Sequence, residues 1–455
     1  MRFFEAFVSF FEKVLLSFGR NTPTLSGIEA VGFYLTAVIG TLFTLCYAYQ
    51  FFYLFLACVV TPQKYKSAPM NRHYAVVIAA RNEASVLPHL IRSIKEQTYP
   101  RDLVDIFVVA DNCTDETAAV ARGEGATVFE RHNTKQVGKG YALAFLFDRM
   151  RETRGFDAFD GYLFFDADNV LRPDFIEQMG RAHAAGHLVI TSYRNSKNYG
   201  KTWISAGYSL WFLRESRHLQ NPRAWLSCSA AISGTGFLVD RSIIERSGGW
   251  KYFLLTEDIE FTADCILHGD RVGYCHAAEL FDEQPETFAQ SWRQRKRWSK
   301  GLFQVIRHYG KGLLKGALRC RWSSFDMLMN ITPAFILSSV QLIATVFLFL
   351  LHWVVNGAVS LVLLQCLADF FIFGYGIFFV LGLFALVSEW RRIHCRKPRA
   401  VLLLFTFPIF MLTYIPISLA AFFSRRVEWK PVEHKHALTA AEIESAGAGR
   451  KNKMS

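Results

Sequence analysis

Charge is what this sequence has little of. Only 20% of its 455 residues are Asp, Glu, Lys or Arg, while 51% are hydrophobic and 42 are phenylalanine. Soluble globular chains carry nearer a quarter charged residues, so disorder, a coiled coil and most soluble enzymes are excluded. Paired cysteine motifs are also missing: nine cysteines are scattered from Cys46 to Cys395 without a Cys-x-x-Cys. Neither a zinc site nor a disulfide framework is indicated, and the cysteines read as reduced residues of a cytosol-facing protein. No cleavage site of the signal-peptide kind follows the first 20 residues. What stands in excess is positive charge, a surplus of 12. It suits nucleic acid, an anionic membrane surface or a phosphorylated substrate.

The apolar residues come in blocks. Phe3, Phe4, Phe7, Val8, Phe11, Val14, Leu15 and Phe18 recur at helical period. Residues 1–26 therefore read as an amphipathic helix, lying in a membrane interface or packed on the protein itself. Residues 27–60 hold one charge, Glu29. A bilayer core of ~30 Å needs roughly 20 helical residues, so this is one transmembrane span. Lys64, Lys66 and Arg72 follow it, which places the N-terminus outside and the next domain, 70–298, in the cytoplasm.

Residues 299–325 alternate Leu302, Phe303, Val305 and Ile306 with Lys300, Arg307, Lys311 and Lys315, the pattern of interfacial helices on an anionic leaflet. Residues 326–424 read as a C-terminal transmembrane region. It has two spans, 327–355 and 358–388, and a third apolar segment, 401–423, interrupted by Pro408 and Pro416. Cations flank that segment at both ends. It reads as re-entrant or interfacial with a cytoplasmic tail; the alternative is a crossing that puts the tail outside. Residues 425–455 are basic, then small and polar, which predicts a disordered tail.

Between the apolar blocks, strand runs alternate with helical stretches. YAVVIAA (74–80), DIFVVA (105–110), YLFF (162–165) and 188–191 read as buried strands, with helices over 86–97 and 115–124. This alternation predicts a mostly parallel sheet with helices on its faces, and such sheets bind ligands beyond the carboxyl ends of their strands. The polar residues at those ends are Arg81-Asn82-Glu83, Asp111-Asn112 and Asp166-Ala167-Asp168.

Each group has a chemical reading and a structural one. Asp166 and Asp168 can share a divalent cation with phosphate oxygens, or cap a helix. Asp111 can accept from the N–H of a base, or belong to a cap formed with Thr114 or Asp115. Lys139, between Gly138 and Gly140, suits a pyrophosphate or is a solvated loop lysine. Asp258 can act as general base, or the helix from 259 is simply capped by Thr256. Gln294, Arg297 and Trp298 join an amide, a guanidinium suited to diphosphate and an indole face on which a pyranose can stack. A cationic interface run explains the arginines there, but not Gln294 and Trp298. Asp369 lies within a span, lining a channel or bonding to a neighbouring helix.

Taken in order, these residues resemble the membrane-embedded family 2 glycosyltransferases, which include cellulose, hyaluronan and poly-N-acetylglucosamine synthases. The matching elements are VVIAARNE (76–83), VVADNCTDET (108–117), GKGYAL (138–143), the Asp-x-Asp at 166–168, Thr235-Gly236-Phe237, Thr256-Glu257-Asp258 and Gln-x-x-Arg-Trp at 294–298. The resemblance implies an α/β GT-A domain, Rossmann-like and mostly parallel, joined to transmembrane and interfacial helices. It implies a UDP-sugar donor and Mg²⁺ or Mn²⁺ as cofactor. Asp111 would contact uracil, Lys139 the diphosphate, and Asp166 and Asp168 the nucleotide and metal. Asp258 would be the base. Gln294 and Arg297 would clamp the leaving diphosphate, with Trp298 and Glu257 on the acceptor side.

The activity implied is an inverting transfer to a growing β-linked polysaccharide, processive and coupled to export, with accessory export subunits as partners. The layout is most similar to poly-N-acetylglucosamine synthases, which implies UDP-N-acetylglucosamine. Transfer of one sugar to a membrane lipid is the alternative, and a non-catalytic export scaffold a remote one. The implied location is a bacterial-type plasma membrane with the catalytic domain cytoplasmic. Nucleic acid is not an expected partner, because the cations cluster against the spans. The sequence departs from the family in having one N-terminal span where several relatives have two or more. It shows no cyclic-dinucleotide-binding module, and only Glu428-Trp429-Lys430-Pro431 as a gating-loop candidate.

Overall fold

The computed structural model describes residues 27–424 and 438–447; segment 1–26 and the gating-loop candidate lie outside the described residues. The chain divides into two compact units. The first comprises residues 27–48 and Pro333–Gly376. Helices Gly27–Val59, Pro333–Asn356 and Leu361–Ser388 supply it, and each contains a stretch long and apolar enough to cross a membrane. In lipid a helix satisfies every backbone polar group within itself, which is why such runs adopt it. Glu29 is not left bare: its Oε1 accepts from Ser360 Oγ at 2.6 Å and lies 3.7 Å from His352 Nε2. Asp369 accepts from Gln365 Nε2, one turn earlier on its own helix, at 2.8 Å. The sequence reading began a span at 327. Instead Trp322–Ile331 is a separate helix, and the next starts at Pro333, a residue without the backbone donor that a continuing helix requires.

The second unit, Tyr49–Thr332 with the chain from Ile377 onward, is built on an eight-stranded sheet. Its strands are β1 (Tyr74–Ala80), β2 (Val104–Asp111), β3 (Thr127–Arg131), β4 (Gly161–Asp166), β5 (Val170–Leu171), β6 (Val189–Ser196), β7 (Phe237–Asp240) and β8 (Val272–Asp282), in the order β3-β2-β1-β4-β7-β6-β8-β5. The neighbours β3-β2, β2-β1, β1-β4 and β6-β8 run parallel; β7 is antiparallel to both its neighbours and β5 to β8. Val76, Ile78, Val108, Leu163 and Phe165 bury one face against Leu90, Ile91, Phe175 and Met179. At about 1.5–3 kcal/mol for each fully buried large apolar side chain, this core outweighs local propensity and fixes the register. That register sets Ala80 beside Ala110 and Ala79 beside Asp166, so the acidic strand ends lie at one level.

The β6–β8 pairing shifts between Ser192 and Tyr193, after which Ser196 faces Asp282. Such irregularities re-aim side chains at sheet ends, and this one delivers Arg194 to the site. Helix Phe288–Leu318 crosses the boundary expected at 298/299, so the Gln-x-x-Arg-Trp segment and the basic amphipathic stretch form one continuous rod. The proline-bearing segment forms helices Lys397–Leu404, Phe407–Leu412 and Tyr414–Phe423, with a bend of 44° between Lys397–Leu404 and Phe407–Phe423. The tail contains one described helix, Ala440–Gly447, where the composition predicted disorder. Thr439 and Glu442 form a reciprocal capping box there, and Ile443 is buried.

Candidate active site

The strand ends bring the acidic groups together. Asp166 closes β4, and Asp168 follows in the turn to β5. The Asp166 N–H donates to Thr235 Oγ1 at 2.9 Å and to Asn169 Oδ1 at 3.1 Å. Asn169 thus folds back on its own turn, and Asp166 and Asp168 stay outside any helix cap. Asp168 is buried; its Oδ2 accepts from the Glu283 N–H at 3.0 Å. Glu83, beyond β1, faces Asp168, Asp166 and Glu283, and burial together with those charges pushes its carboxyl up to about 9.

Lys139 opens helix Lys139–Thr153 instead of sitting on a flexible turn. Its Nζ lies 2.5 Å from Asp166 Oδ1, donates to the Gly234 carbonyl at 2.7 Å and lies 3.7 Å from Glu257. A half-buried lysine engaged with two carboxylates is not a solvated loop lysine. Gly140 makes the approach possible, since a Cβ there would fall 2.0 Å from the Tyr252 carbonyl. Asp111 ends β2 buried against Arg131, whose Nη1 donates to its Oδ1 at 2.6 Å. The helix that follows, Thr117–Gly123, has Glu116 at its N-cap position without a side-chain capping bond, and Asp115 just before it accepts from the Thr117 N–H at 3.1 Å.

Glu257 and Asp258 begin helix Glu257–His268. Thr256 occupies the N-cap position, but its side chain makes no capping bond, and Oγ1 is buried without a hydrogen-bond partner among the described residues. Burial raises the Asp258 carboxyl above the usual range, against the pull of the Ile259 N–H, Lys139 and Arg297. Burial likewise pushes Glu257 up to about 7, with Lys139 opposing and Asp258 adding to the rise. A carboxylate poised in that range is suited to proton abstraction near neutral pH.

Helix Phe288–Leu318 closes this side. Arg297 Nη1 donates to the Leu255 carbonyl at 3.0 Å, and a Cβ on Gly301 would fall 2.5 Å from Thr256 Cγ2. The helix is therefore clamped onto the Thr-Glu-Asp turn. Gln294 Oε1 is buried with no hydrogen-bond partner among the described residues; a buried unpaired acceptor suits a ligand donor. Trp298 meets Tyr208 and Phe212 edge-on, with ring centroids 5.7 and 6.3 Å away.

Arg194 and Gly234 escaped the sequence reading. The Arg194 guanidinium lies over the Phe212 ring at 3.7 Å, donates from Nε to Asp282 at 2.6 Å and from Nη1 to the Ser233 carbonyl at 2.7 Å. A Cβ on Gly234 (φ +81°) would sit 3.8 Å from both Arg194 Nη1 and Asp258 Oδ2. Gly234 therefore faces the gap between cation and base. Its place in the Gly-Thr-Gly run was the available signal; nothing local singles out Arg194.

Whether these residues suit a divalent cation follows from the acid cluster. Burial and then the charges of Asp168, Asp166 and Glu283 push Glu83 toward its neutral form, and an added cation would relieve the repulsion among those charges. No cluster of three or more potential metal ligands exists among the described residues. An ion there would complete its shell with donor phosphates and water, as Mg²⁺ does elsewhere. The residues fit such an ion.

A model described as "Glycosyltransferase like family 2" matches residues 71–301. The chain is 29% identical over 252 residues to the probable glycosyltransferase YdaM of Bacillus subtilis, covering 51% of this chain and 56% of that one. It is 25% identical over 240 residues to a beta-monoglucosyldiacylglycerol synthase of Synechocystis, covering 51% and 48%. The chain thus spans about half the length of the curated relatives it matches. In fold it is similar to the mannosyltransferase PcManGT of Pyrobaculum calidifontis, solved in complex with GDP-Man and Mn²⁺. That TM-score is 0.55 at 17% identity, over 86% of this chain and 100% of the other. With the family model covering residues from β1 to the Gln-x-x-Arg-Trp helix, the chain belongs to the glycosyltransferase-like family 2 and carries its α/β GT-A catalytic fold.

Proposed function

We propose that this glycosyltransferase transfers a sugar from a UDP-sugar to the hydroxyl of a membrane lipid, with inversion at the anomeric carbon. One observation carries the choice of acceptor. The helix bearing Gln294, Arg297 and Trp298 is fastened along its length to the bent apolar segment: Arg295 to the Phe410 carbonyl at 2.9 Å, Ser299 to Ser418 at 3.1 Å, and Lys300 to the Ser424 carbonyl at 2.7 Å. The acceptor side of the site is therefore walled by a segment whose composition suits a bilayer. The lipid-glucosylating names of relatives such as the Synechocystis synthase support the same reading.

In the proposed reaction Asp258 takes the proton of the acceptor hydroxyl as its oxygen bonds to the anomeric carbon. The bond from that carbon to the diphosphate oxygen breaks, and UDP leaves with the electron pair. Asp111 holds the uracil side, while Gln294 and Arg297 orient the diphosphate. Trp298, with Glu257 beyond it, lines the acceptor. Asp168, with Asp166 beside it, would hold the cation. A bound Mg²⁺ or Mn²⁺ supplies charge that stabilises the departing diphosphate. The catalytic unit works at the cytoplasmic face of the membrane in this reading.

The aromatic set of Trp298, Tyr208 and Phe212 favours a second reading, a sugar-chain acceptor. In that case the enzyme is a β-linked polysaccharide synthase with accessory export subunits. Purified protein in nanodiscs, given Mn²⁺, radiolabelled UDP-sugars including UDP-glucose and UDP-N-acetylglucosamine, and diacylglycerol, separates the two. A single-sugar glycolipid that needs added lipid supports the first. A glycosidase-digestible polymer supports the second, and no product above the Asp258→Asn blank overturns both.

A further inference from the structure

Lys197 follows β6 directly and is 6% exposed. Its backbone N–H donates to the Asp282 carbonyl at 2.8 Å, continuing the β6–β8 pairing past Ser196. The next residue locks the pair: Asn198 Nδ2 donates to the Gln284 carbonyl at 2.8 Å, and Gln284 N–H donates back to Asn198 Oδ1 at 3.0 Å. Between those anchors lies Glu283, whose N–H bonds Asp168 Oδ2 at 3.0 Å. The backbone of Lys197 is thereby fixed beside the segment whose Glu283 N–H holds the second acid of the Asp-x-Asp. Burial lowers the Lys197 ammonium from its ordinary range, against the pull of Asp168, Glu283, Asp282 and Glu83. Asp166 also meets Lys139, and Asp282 also meets Arg194.

We propose that Lys197 is a resident cation of the donor site, a positioning residue whose ammonium competes with a divalent ion for Asp168 and Glu283. This rests on the reading of Asp168 as a metal ligand. Carboxylates buried side by side, as Asp168 and Glu283 are, repel one another and destabilise the fold. The ammonium relieves that repulsion when the site is empty, but it also opposes entry of a second cation. The bare protein thus binds the metal weakly. The donor's diphosphate, bringing its own negative charge, shifts the balance and lets metal and donor enter together. The enzyme is in this way kept from holding a metal ion without its nucleotide.

The test uses the full-length protein in nanodiscs, with Mn²⁺ titrated by electron paramagnetic resonance with and without UDP. Wild type, Lys197→Met and Lys197→Arg are compared, and each is also melted in EDTA and in Mn²⁺. Removing one positive charge within a few ångströms of the cation should tighten Mn²⁺ binding without UDP by at least about ten-fold. K197M should melt lower than wild type in EDTA and recover with Mn²⁺, while K197R follows wild type in both. Equal Mn²⁺ affinity in K197M and wild type overturns the proposal, as does K197R behaving like K197M, which would mark Lys197 as a packing residue. If K197M fails to fold even with Mn²⁺ present throughout, the proposal also falls, because the metal should replace the missing charge. A wild type that binds no Mn²⁺ even with UDP removes the metal reading itself, an outcome distinct from the others.

Discussion

Arg295 Nη1 donates to the carbonyl of Phe410 at 2.9 Å and to Thr413 Oγ1 at 2.9 Å, while its guanidinium lies 4.2 Å from the Phe410 ring and 4.7 Å from the Tyr414 ring. Arg295 is wholly buried, and it joins the helix of the Gln-x-x-Arg-Trp motif to the bent apolar segment. Arg295→Met should cost about 2–3 kcal/mol, from the lost hydrogen bonds to Phe410 and Thr413 and the lost cation–π contact. It should also lower transfer while leaving UDP affinity within two-fold or so of wild type. Thermal melts and UDP titration check both; a loss of UDP binding as large as the loss of transfer would remove the acceptor-side role.

In the proposed reaction Asp258 is the base, and the transfer needs its charge. Asp258→Asn should lower kcat by about 10² or more, the usual contribution of a positioned base, with UDP binding retained. Because burial raises both Asp258 and Glu257, the latter to about 7, the rate should rise with pH well above the ordinary carboxylate range. Glu257→Gln removes a neighbouring negative charge and should move that acid limb to lower pH. A limb unchanged in E257Q would show that the two acids do not titrate together.

Glu83 links the acid cluster to stability. Its folded-state carboxyl stands near 9 against an ordinary 4.5, so the folded state prefers the proton. The stability it contributes is complete below pH 4.5 and is lost as pH rises toward 9. Melting temperature in EDTA should therefore fall across that window, and Glu83→Gln should flatten the fall. An identical pH slope in E83Q would contradict the assignment.

Arg223 and Asp326 form a buried bidentate pair, Nε to Oδ2 and Nη2 to Oδ1 both at 2.7 Å, and Tyr49 and Tyr53 also donate to Asp326. Asp326→Asn leaves a buried guanidinium without its counter-charge, at a cost of about 3–5 kcal/mol. The expected readout is a lower melting temperature at every pH, with UDP affinity unchanged in the protein that remains folded. A melting temperature equal to wild type would show that the pair adds nothing to the native state.

Much of the site was legible because chemistry and strand end coincide in sequence. Asp111 and Asp166 each terminate an apolar run, and a parallel sheet brings such ends to one edge. What the residues are bonded to was not legible. Lys139 read as a loop cation, yet Gly140 lets its helix start against Tyr252 and turns the ammonium onto Asp166. Thr256 read as a cap, yet the approach of Gly301 leaves its hydroxyl buried without a bond among the described residues. The short helix Ala440–Gly447 was hidden by small polar composition, although Thr439 and Glu442 had the spacing of a capping box.

By itself the sequence determined the fold class, the family resemblance and the segments apolar enough to span a bilayer. Those depend on periodicity and composition within short windows, where each residue's neighbours along the chain set the outcome. Tertiary structure decided which charges meet: Arg131 with Asp111, Arg194 with Asp282, Lys197 with the Asp168 turn. Residues 20 to 88 positions apart become partners only after the strand order, and for Arg194 and Lys197 the β6–β8 shift, bring their ends together. Those partnerships form at a site where burial weakens solvent screening, so the position of each cation sets what its neighbouring carboxylates can do.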